Sequence, residues 1–130
     1  MSFQQRKKDY LQRLVEEFFA KLQKLINGQK HLSKTEIDEL LDDCYQFFFD
    51  NFGVTHSDSF GQVAEKITDF ELLEQYAKLL LTEYEAAGTV LDKNLLGKAL
   101  EIVEYINTVD STYSWERTIM REDILRNLEE

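Results

Sequence analysis

Residues 10–26 read YLQRLVEEFFAKLQKLI, and this stretch decides the fold class. Apolar side chains recur there in adjacent pairs every three to four positions: Tyr10, Leu11, Leu14, Val15, Phe18, Phe19, Leu22, Leu25 and Ile26. Because an α-helix has 3.6 residues per turn, this spacing places them in one broad stripe along a helix. The stretch therefore predicts an amphipathic first helix, over about residues 3–27.

Helix boundaries are marked along the rest of the chain. Three segments fit the capping box, in which a hydroxyl and a Glu or Gln side chain bond each other's backbone amides: Ser33–Glu36, Ser59–Gln62 and Thr68–Glu71. Gly28, Gly53 and Gly88 stand where helices are expected to end in the left-handed conformation. The chain has no proline, the residue that a helix interior tolerates least. Further helices are predicted over about 34–52, 60–67, 69–87, 93–109 and 112–128.

These signals predict one all-α domain, residues 1–130, built as a bundle of five main helices and one short helix. The helix over 69–87 is apolar most of the way round, which is typical of a central helix. In the next helix, Gly97 is expected to allow a close backbone approach. The last helix is expected to bury Trp115, Ile119, Met120, Leu125 and Leu128.

The charge is unevenly distributed. The net charge is −10, yet residues 1–30 hold seven basic and three acidic side chains, while residues 31–130 hold eight and 22. An acidic protein repels phosphate backbones, so no nucleic acid is expected as partner. The basic residues Arg6, Lys7 and Lys8 are expected to face solvent or the acidic remainder of the fold.

No membrane partner is expected either, because no stretch approaches the roughly 18 uninterrupted apolar residues of a membrane-spanning helix. The N-terminus has no apolar run of signal-peptide type, which favours a cytoplasmic location. Cys44 is the single cysteine, so an intramolecular disulfide and a four-cysteine metal site are excluded. It lies on the apolar face of its predicted helix and is expected to be a small buried hydrophobe.

Chemistry-bearing motifs are scarce. The run His56-Ser57-Asp58-Ser59 holds the residue types of a hydrolase triad, but adjacent loop residues do not adopt the triad geometry unaided, and a polar loop before a helix cap explains them. His31-Leu32-Ser33-Lys34 shares His-x-x-Lys with phosphotransfer domains, which expose the histidine in mid-helix rather than in a turn. We found no Glu-x-x-His pair, EF-hand or phosphate-binding loop. No catalytic, metal-binding or cofactor-binding residue is predicted; the alternative is an enzyme or phosphotransfer protein using His31 or His56.

Two segments resemble known helical proteins. Residues 97–106, GKALEIVEYI, are similar to the second helix of a tetratricopeptide unit, in which a small residue precedes a bulky one by four, as Ala99 precedes Val103. Together with the opening DYLQRLVEE of residues 9–17, this pattern resembles a family of small bacterial all-helical proteins without assigned function. Over about two thirds of the chain, the resemblance implies an aspartate-tyrosine helix followed by tetratricopeptide-like hairpins. It implies no catalytic residue.

The surplus of apolar side chains indicates a function. Helices this rich in apolar residues are expected to leave some uncovered, and uncovered apolar patches mark interaction sites. We therefore expect a non-enzymatic helical module for protein–protein interaction or self-assembly, whose partner is another protein or a second copy, as in a homodimer through the first helix. The candidate interaction surface comprises Tyr10, Leu14, Phe18, Leu22, Phe47, Phe49 and Trp115.

Overall fold

The computed structural model describes residues 3–87 and 91–130, which form six α-helices. They are α1 (Phe3–Gly28), α2 (Lys34–Phe52), α3 (Phe60–Lys66), α4 (Phe70–Ala86), α5 (Lys93–Val109) and α6 (Trp115–Glu129). No strand occurs within these described residues. The prediction of an all-α protein with five longer helices and one short helix is confirmed.

Two of the predicted capping boxes are confirmed. At the start of α2, Ser33 Oγ accepts the N–H of Glu36 (3.2 Å), and Glu36 Oε1 accepts the N–H of Ser33 (3.3 Å). At the start of α3, Ser59 and Gln62 exchange the same two bonds (3.3 and 2.8 Å). Each box satisfies backbone amides that have no acceptor within the helix.

The third capping box was placed one residue early. Asp69, not Thr68, caps α4, and its Oδ1 accepts the N–H of Leu72 at 2.9 Å. A carboxylate is a charged acceptor, and it also interacts favourably with the positive end of the helix dipole. The predicted exchange between Thr68 and Glu71 is therefore wrong.

The three glycines differ in what they do. Gly53 closes α2 in the left-handed conformation (φ 71°), and its N–H bonds the Phe49 carbonyl at 2.9 Å, as predicted. Gly28 is the last residue of α1 and has no positive φ, so the left-handed ending predicted there is wrong. A Cβ at this position would require the end of the Leu32 side chain to shift. The predicted helix end at Gly88 lies outside the described residues.

The chain divides after Gly53 into two compact units. In the first, α1 and α2 form an antiparallel hairpin, since Phe18 contacts Phe47 whereas the later Lys21 pairs with the earlier Asp43. The ring centroid of Phe18 lies 5.2 Å from that of Phe47 and 4.6 Å from that of Phe48. These aromatic side chains are part of the unit's buried core. That residues 1–130 make one domain stays a prediction.

The second unit contains α3 to α6. α5 packs against α3, α4 and α6, and α4 also contacts α6. α4 is buried on most of its sides, as its composition predicted, through Leu72, Leu73, Tyr76, Ala77, Leu79, Leu80, Leu81, Thr82 and Tyr84. The close approach expected at Gly97 is wrong, because a Cβ there would meet no described heavy atom within 4 Å.

The last helix begins later than predicted, and only part of the predicted set of buried side chains is confirmed. Ser114 is its N-cap and accepts the N–H of Arg117 at 3.1 Å. The buried side chains of α6 are Arg117, Met120 and Ile124, spaced by three and four residues. Met120 is buried as predicted, and Leu125 and Leu128 are half-buried, whereas Trp115 and Ile119, also predicted to be buried, are exposed. The helix packs through the opposite side from its two most conspicuous apolar residues.

Candidate functional site

Exposed apolar side chains gather where α5 passes into α6. Val109 ends α5, Tyr113 lies in the connection, and Trp115 and Ile119 occupy the first turns of α6. Tyr113 is 69% and Trp115 64% exposed. Half of the large apolar side chains that are exposed in residues 6–87 and 91–130 belong to this segment. We call Val109, Tyr113, Trp115 and Ile119 the hairpin surface.

A buried arginine holds the backbone beneath the hairpin surface. Arg117 is only 6% exposed. Its Nη1 donates to Glu74 Oε1 (2.9 Å), its Nε to Asn107 Oδ1 (2.6 Å) and its Nη2 to the Thr112 carbonyl (2.8 Å). One guanidinium therefore ties α4, the end of α5 and the α5–α6 connection together, using the rigid fork of donors that distinguishes arginine from lysine.

Local hydrogen bonds complete this support. Asp110 Oδ1 accepts the N–H of Thr112 (3.0 Å), which shapes the connection after α5. Ser114 Oγ caps α6 and also donates toward Glu74 Oε2 (3.4 Å). Tyr113 lies between these anchored residues, so its side chain is exposed while its backbone is held. A surface organised before binding loses less conformational entropy when a partner docks.

The outward face of α6 combines this apolar surface with negative charge. Trp115, Ile119 and Glu122 are separated by four and three residues, so they lie in one stripe. All three are exposed. Glu116 and Glu122 make no ion pair with any described residue, whereas Arg121 and Arg126 of the same helix are paired with Glu104 and Asp123. The open charges beside the indole are therefore carboxylates.

The seven residues predicted as an interaction surface separate into two groups. Tyr10, Phe49 and Trp115 are exposed and available at the surface. The other four are buried core side chains: Leu14, Phe18, Leu22 and Phe47. The apolar stripe of α1 is thus largely used by packing within the chain, and Tyr10 lies at its margin.

The basic residues at the start of the chain face solvent, which is one of the two placements that were expected. Arg6, Lys7 and Lys8 are exposed and have no ion pair with any residue that the structure describes. Farther along α1, the Lys21 ammonium lies 3.0 Å from Asp43 Oδ2 in α2. The basic end of α1 therefore presents open positive charge.

The segment with the residue types of a hydrolase triad holds its own loop. Asp58 is buried and accepts from Lys66 Nζ (2.7 Å), from Thr55 Oγ1 (2.8 Å) and from the Thr55 N–H (3.1 Å). The bond from Lys66, opposed by burial and helped by the bonds from Thr55, lowers the pKa of Asp58 to about 2. Ser57 Oγ bonds Thr55 Oγ1 (3.2 Å). Asp58 and Ser57 thus serve as loop anchors.

The two histidines have different settings. His31 is exposed in the turn between α1 and α2. His56 Nε2 lies 3.0 Å from Glu83 Oε1 in α4, and its carbonyl accepts from Lys98 Nζ of α5 (3.1 Å). His56 therefore links the loop before α3 to α4 and to α5.

Three further observations concern the cysteine, metal binding and membrane spanning, which the sequence analysis also addresses. Cys44 is fully buried, and burial raises the pKa of its thiol to about 12. Within the described residues, no group of three or more His, Cys, Asp or Glu side chains is placed to hold a metal ion. In the same part of the chain, no helix combines the length and the apolar character that crossing a membrane requires.

Sequence reasoning missed the role of Arg117. Arg117 is not among the side chains that the sequence predicts to be buried in the last helix. The usable signal was the three- and four-residue spacing of Arg117, Met120 and Ile124, which marks a face of α6 with a charged residue inside it. A buried arginine implies buried acceptors for its donors.

Comparison with known proteins is negative: no protein-family model, curated protein or solved structure matches this chain. The resemblance to a bacterial helical family therefore stays a prediction, apart from the all-helical architecture that the structure shows.

Proposed function

We propose that this protein is a non-enzymatic helical module that binds a protein partner or assembles with itself, and that the hairpin surface is its contact site. The observation behind the proposal is a tryptophan 64% exposed and a tyrosine 69% exposed on a backbone anchored by a buried arginine. Trp and Tyr are the side chains that most often dominate binding energy in protein interfaces.

The clustering of these residues along the chain favours this interpretation over chance exposure. Single exposed apolar residues are ordinary, whereas several in one short segment point to an interaction site. Val109, Tyr113, Trp115 and Ile119 all lie between the last residue of α5 and the second turn of α6. The Arg117 bonds hold this segment in place, so docking would order little additional chain.

We further propose the setting of this activity. Consecutive helices α4, α5 and α6 pack on one another in chain order, which supports a tetratricopeptide-like arrangement of helical hairpins of the kind expected from the bacterial family. A cytoplasmic location agrees with a single cysteine retained as a buried thiol, since disulfides are rare there.

The test is quantitative capture by tagged protein from native lysate, comparing wild type with Trp115→Ser. The matched control is Leu91→Ser, which removes an apolar side chain 53% exposed outside the hairpin surface. We expect wild type and control to retain the same partner, or to associate with themselves, and Trp115→Ser to lose that association. Equal retention by all three proteins would show that the hairpin surface is not the contact. A wild type that is monomeric and captures nothing would refute the module itself.

The alternative is an enzyme or phosphotransfer protein that uses His31 or His56. The pairing of His56 Nε2 with Glu83 supports it, because a carboxylate orients an imidazole for proton transfer. This alternative predicts that His56→Ala or His31→Ala abolishes cellular function without changing the melting temperature. Normal function in both variants would exclude it.

A further inference from the structure

The basic end of α1 presents a stripe whose charges are opposite to those on α6. Arg6, Tyr10 and Arg13 are separated by four and three residues, so they lie on one side of the helix. All three are exposed, Tyr10 to 53%. Neither arginine makes an ion pair with a described residue. We call these three residues the α1 stripe.

The outward face of α6 has the same spacing with complementary chemistry. Trp115, Ile119 and Glu122 again follow one another after four and three residues. In both helices the outer members are about 10.5 Å apart along the axis, at 1.5 Å per residue. We call Trp115, Ile119 and Glu122 the α6 stripe.

We propose that the α1 stripe of one copy docks on the α6 stripe of a second copy. The proposal rests on the proposed function and names the partner as the same chain. Because the α1 stripe reads arginine–tyrosine–arginine, either helix direction places one guanidinium over the Trp115 ring and the other against the Glu122 carboxylate. Tyr10 then packs on Ile119 at the centre. A guanidinium over an indole is a favourable cation–π contact.

Charge complementarity identifies the occupant. Residues 6–13 hold four basic side chains and one acidic one, whereas Glu116 and Glu122 are the open charges beside Trp115. Like net charges of −10 repel at long range, but ionic strength near 0.15 M screens that repulsion beyond about 8 Å. Ion pairs and the cation–π contact act at shorter distances.

The contact is heterologous, because the two stripes are different surfaces of the chain. A heterologous contact either repeats along an open chain of copies or closes into a ring. Each copy therefore has one α1 stripe and one α6 stripe, and substitutions can disable either stripe without the other.

The test uses two double variants and sedimentation velocity at physiological ionic strength over a range of protein concentrations. Arg6→Glu with Arg13→Glu disables the α1 stripe, and Trp115→Ser with Glu122→Gln disables the α6 stripe. Two double variants serve as matched controls: Lys24→Glu with Lys30→Glu changes two other exposed charges of the first unit, and Leu91→Ser with Glu65→Gln changes exposed residues outside both stripes and the hairpin surface. Helical circular dichroism and melting confirm that every variant is folded.

We expect wild type and both controls to associate as concentration rises. Each stripe variant alone should stay monomeric at the concentrations where wild type associates. The protein concentration at which half of the variant is associated should be about tenfold or more above that of wild type. An equimolar mixture of the two stripe variants should regain a two-chain species, because one intact α1 stripe then meets one intact α6 stripe. A monomeric wild type, association that survives in either stripe variant, or a mixture that stays monomeric would each overturn the proposal.

These outcomes are separable from failure of the proposed function. If wild type stays monomeric while Trp115→Ser loses a captured heterologous protein, the hairpin surface is a contact site and the self-docking is wrong. If wild type is monomeric and Trp115→Ser changes nothing in the capture experiment, both are wrong.

Discussion

At the scale of single residues, Arg117 decides how the hairpin surface is presented. A buried guanidinium without acceptors would be strongly unfavourable, so its burial depends on Glu74, Asn107 and the Thr112 carbonyl. The same bonds prevent the connection between α5 and α6 from relaxing. The exposed positions of Tyr113 and Trp115 therefore depend on the buried Arg117 guanidinium.

Arg117→Met should destabilise the protein by about 3 kcal/mol, because it leaves the partly buried Glu74 carboxylate without its cation and two further acceptors without donors. The free energy of unfolding in urea measures the loss. Arg121→Met is the control, since Arg121 and Glu104 are both about half exposed and such pairs contribute about 0–1 kcal/mol. Equal losses in the two variants would show that the Arg117 bonds are energetically unimportant.

Asp58 makes stability depend on acid pH. Its folded pKa of about 2 lies below the ordinary 3.8, chiefly because of the bond from Lys66. A carboxyl group whose pKa is lower in the folded state than in the unfolded state stabilises the folded protein at pH values above its unfolded pKa. This stabilisation is lost as the pH falls through its folded pKa. Lys66 is 35% exposed, so solvent screening reduces the contribution to about 1 kcal/mol.

Asp58→Asn should therefore be less stable than wild type by a constant amount above about pH 5, and the difference should shrink between about pH 5 and pH 2. Urea unfolding of both proteins across this range measures it. If the difference in unfolding free energy between the two proteins does not change with pH, the negative charge of Asp58 does not stabilise the folded state.

At the scale of helices, α1 shows how one apolar stripe can serve two purposes. Its centre is buried against α2, where Phe18 contacts Phe47 and Phe48. Its margins are exposed at Tyr10 and Phe19. Adjacent phenylalanines on one helix are about 100° apart, so a neighbour that covers Phe18 need not cover Phe19.

Phe18→Asp should cost more than 3 kcal/mol, because it removes a fully buried ring and introduces a charge into the core. Phe19→Asp, at a position 52% exposed, should change the free energy of unfolding by about 0.5 kcal/mol or less. Thermal and urea unfolding, with size measured in parallel, distinguish the cases. If the Phe18→Asp protein is folded and monomeric under conditions where wild type associates, Phe18 is an oligomer contact instead. If the Phe18→Asp protein has the same size and melting temperature as wild type, the assignment of Phe18 to the buried stripe is wrong.

At the scale of the whole molecule, the division after Gly53 gives the prediction of one domain a direct test. Cys44 reports on the first unit, since its buried thiol, with a pKa raised to about 12, reacts only when that unit opens. The amides of α4 report on the second unit.

If residues 1–130 behave as one domain, the free energy of opening obtained from Cys44 labelling should equal that obtained from hydrogen exchange of the α4 amides. Both measurements use the wild-type chain under the same buffer conditions. Values that differ by more than about 1 kcal/mol would show that the two units unfold separately.

The sequence by itself determined the number of helices, most of their boundaries and the central character of α4. These properties are local: a capping box at Ser33 or Ser59 satisfies amides within one turn, and the left-handed Gly53 ends a helix regardless of distant residues. Errors arose where two neighbouring residues can both cap a helix, as at Thr68 and Asp69, or where a glycine at a helix end has no positive φ, as at Gly28.

Only the tertiary structure decided which side of each helix meets a neighbour. Sequence alone identified Trp115 as a candidate contact. In the folded chain α6 is oriented so that Arg117, Met120 and Ile124 are buried and Trp115 is exposed. The acceptors that permit a buried arginine come from α4, α5 and the connection, up to 43 residues away in sequence. Periodicity specifies a stripe, whereas the orientation of that stripe depends on partners that only the folded chain brings together.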